Sequence, residues 1–578
     1  MKTMNPNADQ THLPELSLAA KPLASPFSDR HTPRLSHILA PIEATLRASA
    51  WASHAIGLAI FMAMVSVFIL WGATRLQVGQ QEARLAMAAR EPLGPVGQSF
   101  GGLDPAIYPG PLLAIKAWSI LEEHGPGQQS LRWPVAIFAA IIGAILTLRS
   151  EWICGKVAAL SVGFCWLTSF AAMNRSGEFG LDFFTGLGLI FVINRSIANQ
   201  GRLDTIAGLL TSLSFLCGGL QPVILVVASS IILCRTSAGL TLPFLAIILA
   251  TVGGWSAWAL SEISAEAWAA AIALPVTFRS DSSFATIALA LCLPMAFAAP
   301  AVLSRKVQEN WSETRRNYVT GWWTISAMCL FVGSVLPQFA KAALLPIVAG
   351  CAVVSGHVWA TAFQSRNFKA LGHAGLWLKT SSAILIGAMS CLCIPMAIYL
   401  SMSIPYYRGV CLIWASILAI TALLCARGLL RNNARTLGLA LFLMCFGLKL
   451  AHASIYVPEW NYRRGQGPWG RAIGQWVPEK WPIYTLHGWS TDLAFATGHN
   501  FRQLTHPRFL PDPAKTENGR PTFILLHPAD FDHWPKSAPP IVKVFEFHDQ
   551  SGRKVSKVLA RTGPETVDWP KFIRKKNL

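Results

Sequence analysis

Apolar residues in this chain fall in long unbroken runs, not in the alternating or three-and-four spacing of a soluble domain. Many runs approach twenty residues, enough for a helix to cross a hydrocarbon core of about 30 Å. Thirteen intervals can be marked: 51–74, 133–150, 152–172, 179–196, 204–218, 220–235, 240–260, 282–303, 320–337, 340–361, 379–401, 407–426 and 434–455. The pattern predicts an α-helical polytopic membrane protein with about 13 transmembrane helices. Polar sequence is confined to short connections and three longer stretches, residues 1–50, 75–132 and 456–578.

One interval is ambiguous. Between Arg202 and Arg235 the apolar run is interrupted by FLCGGLQP, with Gly218, Gly219 and Pro222. It reads either as one long helix or as two short ones joined at the glycines. Charge decides between them. With two passes, Arg149, Lys156, Arg195, Arg202, Arg235 and most later loop cations through Arg435 share the side on which the chain starts. The opposite short loops then hold Arg175, Arg279, Lys341 and Arg408. One pass would move every basic loop after Arg202 to the other side, against the bias that keeps such loops cytoplasmic. Two passes therefore place the N-terminus in the cytoplasm and the C-terminus outside.

The long polar stretches differ in kind. Residues 1–50 are rich in Pro, Ser and charge, and their apolar segment starts too late for a cleavable signal peptide. A mostly disordered cytoplasmic tail is expected. Residues 456–578 carry 18 Lys/Arg against 11 Asp/Glu and alternate strand-like runs, WPIYTLHG, PTFILLHP and IVKVFEFHDQSGRKVSKVLAR, with helical ones. The last run has a hairpin turn at Asp-Gln-Ser-Gly. A small α/β C-terminal extracytoplasmic domain is predicted. Its six histidines, His487, His499, His506, His527, His533 and His548, show no metal-ligand spacing and read as surface or packing residues.

Composition fits the same class. Of 578 residues, 53% are hydrophobic and only 13% charged, against about a quarter charged in soluble proteins. The net charge of +19 suits basic cytoplasmic loops and anionic headgroups; a nucleic-acid partner is not expected. All twelve cysteines lie in or at the ends of apolar segments, where they act as small hydrophobes.

The candidate chemistry lies in the first outer loop, 75–132. In QEARLAMAAREPL, Leu85, Ala88 and Ala89 form an apolar stripe, with Arg84, Met87 and Glu91 on another face. On amphipathicity alone this is a helix lying in the headgroup region. A Pro-Gly-Pro turn, a second helix PLLAIKAWSILEE and Arg132 at the approach to the next span follow.

These features together resemble the integral-membrane glycosyltransferases of the GT-C class, close to the lipid A aminoarabinose transferases and protein O-mannosyltransferases. The family's first loop, Asp-Glu-x-Arg-Tyr-Ala-x-x-Ala-Arg-Glu, is similar to Gln81-Glu82-Ala83-Arg84-Leu85-Ala86-Met87-Ala88-Ala89-Arg90-Glu91. Its Lys-Pro-Pro-Leu resembles Pro109-Gly110-Pro111-Leu112, and its Arg-Leu-Pro resembles Arg132-Trp133-Pro134. NRSGEFGLDFF, AGLLTSLSFLCGGLQP and SVLPQFAKAALLP are similar to three further family segments and bring in Arg175 and Lys341. The resemblance runs from about residue 51 to the end of the chain.

What it implies is transfer of a sugar from a polyprenyl-phosphate carrier to a lipid, glycan or protein acceptor at the outer face of the cytoplasmic membrane. Such a donor keeps its tail in the bilayer while its phosphate meets cations at the interface. An acid at the same depth takes the acceptor's proton. The resemblance implies Glu82 as that catalytic group and Arg84, Arg132, Arg175 and Lys341 as phosphate ligands. Asp104, Glu178 and Asp182 are nearby carboxylates in reserve. Four family charges are replaced, by Gln81, Pro109, Gly180 and Gly218. No resident cofactor or metal is implied, and a divalent cation is left open because one carboxylate holds it poorly. Two other readings stand beside the enzyme: a non-catalytic relative that binds polyprenyl lipid or scaffolds a partner, and a transporter.

Overall fold

The computed structural model describes residues 55–72, 82–83, 86, 109–120, 128–174, 177–234, 239–262, 282–309, 311–463, 466–478, 481–488, 491–512, 521–548 and 554–563. The expected tail 1–50 and the candidate residues Arg84, Asp104 and Arg175 lie outside them.

The chain is a multi-pass membrane protein. Helix occupies each of the thirteen apolar intervals. Among the described residues, six helices are long and apolar enough to cross a bilayer alone, or up to seven if a bent pair counts as one span. Shorter apolar helices, among them Thr205–Gly218 and Leu220–Leu233, fill the remaining intervals. The glycine turn is real: the first of these two helices ends at Gly218, and Gly219 adopts a φ of +76° before the second begins. An L side chain would be strained there.

The interval 282–303, expected as one straight span, is broken. Ser283–Cys292 and Met295–Leu303 meet at 99°. Pro294 has no N–H to continue the helix. The Leu293 carbonyl at the break accepts instead from the Phe170 N–H at 2.9 Å. The bend is thereby satisfied by a neighbouring segment, as kinks in apolar surroundings must be.

Seven helices surround the candidate site and the bundle beneath it: Pro109–Ser119 (α1), Gln128–Cys154 (α2), Lys156–Leu167 (α3), Gly177–Ala198 (α4), Thr205–Gly218 (α5), Ala340–Ser365 (α6) and Ala434–Ala451 (α7). The expected Pro-Gly-Pro turn is not a turn; α1 starts at Pro109 itself. Proline fits there because N–H groups in a first turn have no intrahelical acceptor. Helices α2, α4 and α6 run parallel from one end of the bundle. Phe138 of α2 meets Phe184 of α4 edge to face at 5.3 Å, and Gly186 of α4 lets Leu345 of α6 close against its backbone. Trp166 of α3 donates its Nε1–H to the Ala139 carbonyl of α2 at 2.9 Å, a buried bond that fixes the rotation of the two helices.

The C-terminal region carries a five-stranded sheet: Ile483–Thr485 (β1), Phe501–Gln503 (β2), Phe523–Leu526 (β3), Ile541–His548 (β4) and Val555–Thr562 (β5). Its order is β2-β1-β3-β5-β4, with β1 parallel to both neighbours and β5 antiparallel to β3 and β4. The predicted hairpin is β4–β5, paired from Ile541↔Thr562 to His548↔Val555. Phe501–Gln503 was not expected as a strand, because Phe501-Arg502-Gln503 holds one apolar residue and shows no alternation.

Candidate functional site

The end of the bundle at which α2, α4 and α6 begin holds the candidates that fall among the described residues, Glu82, Arg132, Glu178, Asp182 and Lys341. Glu82 lies in a helical segment whose neighbours Ala83 and Ala86 are fully buried. Its Oε2 accepts from Arg132 Nη2 at 2.7 Å, and the two side chains are only 2% and 3% exposed. Arg132 sits in the second turn of α2, just before Pro134. This buried pair joins the first loop to the helix that follows it. It also joins the expected base to one of the expected phosphate ligands, a contact the sequence does not announce. Two charges removed from water hold each other here, and loss of either would take that compensation from the other.

Lys341 lies at the second position of α6, exposed. Glu178 and Asp182 fall in the first two turns of α4. Asp182 and Lys341 are each one helical turn, four residues, toward the same end from the Gly186–Leu345 contact. The backbone thus brings both to one level. The Glu82–Arg132 pair is the one place where two candidate side chains touch among the described residues.

Three groups at this end were not singled out from the sequence. Lys449, in the last turn of α7, is 2% exposed and donates from Nζ to the Met173 carbonyl at 3.0 Å. Met173 lies just before the segment that leads into α4. One turn on, His452 stacks on Tyr456 at 5.5 Å, and its buried Nδ1 has no hydrogen-bond partner among the described residues. Gln338, three residues before Lys341, has both side-chain amide atoms buried and unpartnered among the described residues. A buried polar atom without a partner costs roughly 1–3 kcal/mol, and completion by a ligand is one way to recover that cost. The signal for Lys449 was a cation inside the apolar run GLALFLMCFGLKLAHASIY. For Gln338 no sequence signal existed.

Two of the replaced family charges lie beside one helix contact. A Cβ on Gly110 would run into Cys217 Sγ and lie 3.0 Å from the Leu216 carbonyl, so α1 packs directly on the end of α5. At Gly218 a Cβ would stand 2.7 Å from Thr185 Oγ1. Pro109 and Gly218, where the resembling family has lysines, therefore flank a close-packed helix contact. Among the described residues no group of three or more His, Cys, Asp or Glu is arranged to hold a metal ion.

No family model matches the chain, and no curated protein matches it. Solved structures do. ArnT from Cupriavidus metallidurans bound to undecaprenyl phosphate aligns with a TM-score of 0.61 at 15% identity, over 90% of this chain and 100% of that one. The apo state of the same protein aligns with a TM-score of 0.60, at the same identity and coverage.

The chain has the ArnT fold. The likeness covers 90% of this chain and the whole of that one. The resemblance read from GQQEARLAMAAREPLG and the motifs after it therefore holds at the level of architecture, the GT-C fold. At this architectural level Glu82, Arg132, Lys341 and Lys449 occupy one end of an ArnT-like bundle.

Proposed function

We propose that the chain is a membrane glycosyltransferase that takes a sugar from a polyprenyl-phosphate carrier at the outer face of the cytoplasmic membrane and passes it to a lipid, glycan or protein acceptor. The observation that carries this reading is a buried carboxylate–guanidinium pair, Glu82–Arg132, at the cation-bearing end of an ArnT-like fold. The solved ArnT structure contains undecaprenyl phosphate. In this reading the C-terminal sheet is extracytoplasmic and the N-terminus cytoplasmic, in keeping with the loop charges.

The roles follow from chemistry. Lys341 and Lys449 supply ammonium groups for the carrier phosphate as it departs with the bonding electron pair from the anomeric carbon. Arg84 and Arg175 join them as further phosphate ligands. Glu82 accepts the acceptor's proton, and Arg132, with several N–H donors on one plane, orients its carboxylate. Gln338 offers one acceptor and two donors to sugar hydroxyls. Asp104, Glu178 and Asp182 stand as supporting carboxylates. The test is sugar transfer in nanodiscs supplied with polyprenyl-phosphate sugars, followed by mass spectrometry of donor consumption. Wild type consumes donor and Glu82→Gln does not; undiminished turnover in that variant removes Glu82 as the base.

A second reading is favoured by one specific observation. Of the two positions where the resembling family has lysines, Gly218 leaves no room for an added side chain beside Thr185, and Pro109 adjoins Gly110, whose backbone packs on Leu216 and Cys217. A relative that binds polyprenyl lipid without transferring sugar would have lost those charges in this way. Photocrosslinking to a polyprenyl-phosphate probe, with no turnover of any donor in a panel, would select it.

A further inference from the structure

Away from the candidate site, an apolar groove of about 500 Å³ opens between helix Ala55–Leu70, α3, α6 and α7. Its volume is within the range of about 300–1,000 Å³ typical of small-molecule sites. Ala63 and Val67 line one wall, Val157 and Leu160 another, and Phe363 and Gly438 the third. Its inner limit is aromatic: Phe442 meets Phe68 edge to face at 5.9 Å and Phe164 at 5.7 Å.

The groove lies toward the end opposite the candidate site. The level is set by two close contacts: Gly356 of α6 against Val162 of α3, and Gly438 of α7 against Phe363 of α6. From Val157 to Phe164 the groove follows α3 for seven residues, about 10 Å. Just beyond it, each of three lining helices ends in a cation. Lys156 opens α3 beside Val157, Arg366 follows α6 three residues after Phe363, and Arg435 precedes Gly438 by three residues in α7. Arg366 and Arg435 are exposed, and the Ala434 N–H donates to the Arg366 carbonyl at 3.3 Å, so these two rims adjoin. Helical side chains lean toward the N-terminus, which carries Lys156 and Arg435 out past the mouth. Glu151, in the last turn of α2, is the nearby acid in sequence, leaving the rim net positive.

We propose that this groove binds the acyl chain of an anionic glycerophospholipid, with its headgroup phosphate held at the rim by Lys156, Arg366 and Arg435. An apolar channel ending in cations at the membrane boundary is complementary to that molecule in both halves: hydrocarbon meets hydrocarbon, and phosphate meets ammonium and guanidinium. The loop-charge bias assigns this end to the cytoplasm, so the lipid belongs to the inner leaflet and the site is separate from that of the sugar carrier.

The test uses the full-length protein in nanodiscs containing phosphatidylglycerol or phosphatidylcholine with a photoactivatable diazirine in one acyl chain. Adducts are mapped by peptide mass spectrometry. Adducts on residues 157–164 and 438–442 are expected, favouring phosphatidylglycerol by about fivefold or more, the factor one cation at an anionic surface supplies. The combined variant Lys156→Gln/Arg366→Gln/Arg435→Gln should bring the two lipids level. Ala63→Trp, which fills the groove from an exposed position, should remove both adducts while leaving elution and helicity unchanged. Four outcomes overturn the proposal: equal labelling by the two lipids in wild type, adducts elsewhere only, displacement of the probe by equimolar undecaprenyl phosphate, or crosslinks that show residues 1–50 or a second copy seated in the groove.

Discussion

The sharpest prediction concerns the pin between the first loop and α2. Glu82→Gln keeps the shape of the side chain and removes its charge, leaving Arg132 buried without its 2.7 Å carboxylate partner. Both groups are almost wholly buried, so the cost is that of breaking a desolvated ion pair, about 3–5 kcal/mol. At about 1.4 kcal/mol per decade, that favours local opening by roughly two to three and a half orders of magnitude. Ala83, fully buried beside Glu82, reports the opening. In an Ala83→Cys background, maleimide modification of the peptide containing residue 83, followed by mass spectrometry, should accelerate by at least about a hundredfold in Glu82→Gln. The double variant Glu82→Met/Arg132→Met leaves no stranded charge and should return within about tenfold of the parent, because apolar replacement of a buried pair is often neutral. An acceleration of Glu82→Gln below about threefold would refute the reasoning, since the pair would then contribute no more than a surface salt bridge. So would a double variant as open as the single ones.

Three more outcomes follow from the same end of the bundle. Gln338→Leu removes a buried amide with no partner among the described residues, so thermal stability should hold or rise while sugar transfer falls by about tenfold; a loss of both would make Gln338 structural. Lys449→Met removes a buried ammonium and its bond to the Met173 carbonyl. Polyprenyl-phosphate affinity, read by native mass spectrometry, should weaken by at least about tenfold, as expected for a charged hydrogen bond of about 1.5–3 kcal/mol. Gly110→Leu forces α1 off Leu216 and Cys217 and should destabilise by about 1–3 kcal/mol, seen as a lower melting temperature; an unchanged melting temperature would mean that α1 is not held there.

The bundle was legible because a membrane imposes one solution on the backbone. Apolar runs must be helical, and charge bias orders them, so even the turn at Gly218-Gly219 could be read before its geometry was known. The bend at Pro294 could not. Proline announces a missing N–H, but the angle depends on where the Leu293 carbonyl finds its donor, and Phe170 lies more than a hundred residues away in sequence. In the C-terminal region, β4 and β5 showed their alternation over eight residues each, whereas β2, Phe501-Arg502-Gln503, has one apolar residue and no apolar run around it.

The site divides along the same line. Residue type and motif spacing pointed to Glu82 and Arg132 separately, each as a lone charge awaiting substrate. Their partnership is a long-range fact, created when the first loop folds back on α2, and it changes what each charge means. A solvated glutamate is replaceable; one that neutralises a buried arginine is a condition for the loop to dock. The same folding exposes Lys341, buries Lys449 and leaves the Gln338 amide unpartnered among the described residues, so the polar groups at this end are neither all satisfied nor all solvated. Buried polar atoms without partners among the described residues occur away from this end as well, on Arg149, Arg315 and His357, so what marks Gln338 out is its place three residues before Lys341. The closed Glu82–Arg132 pair and the unpartnered Gln338 amide therefore call for different tests: loss of the first should loosen the segment around Ala83, and loss of the second should change transfer without loss of stability.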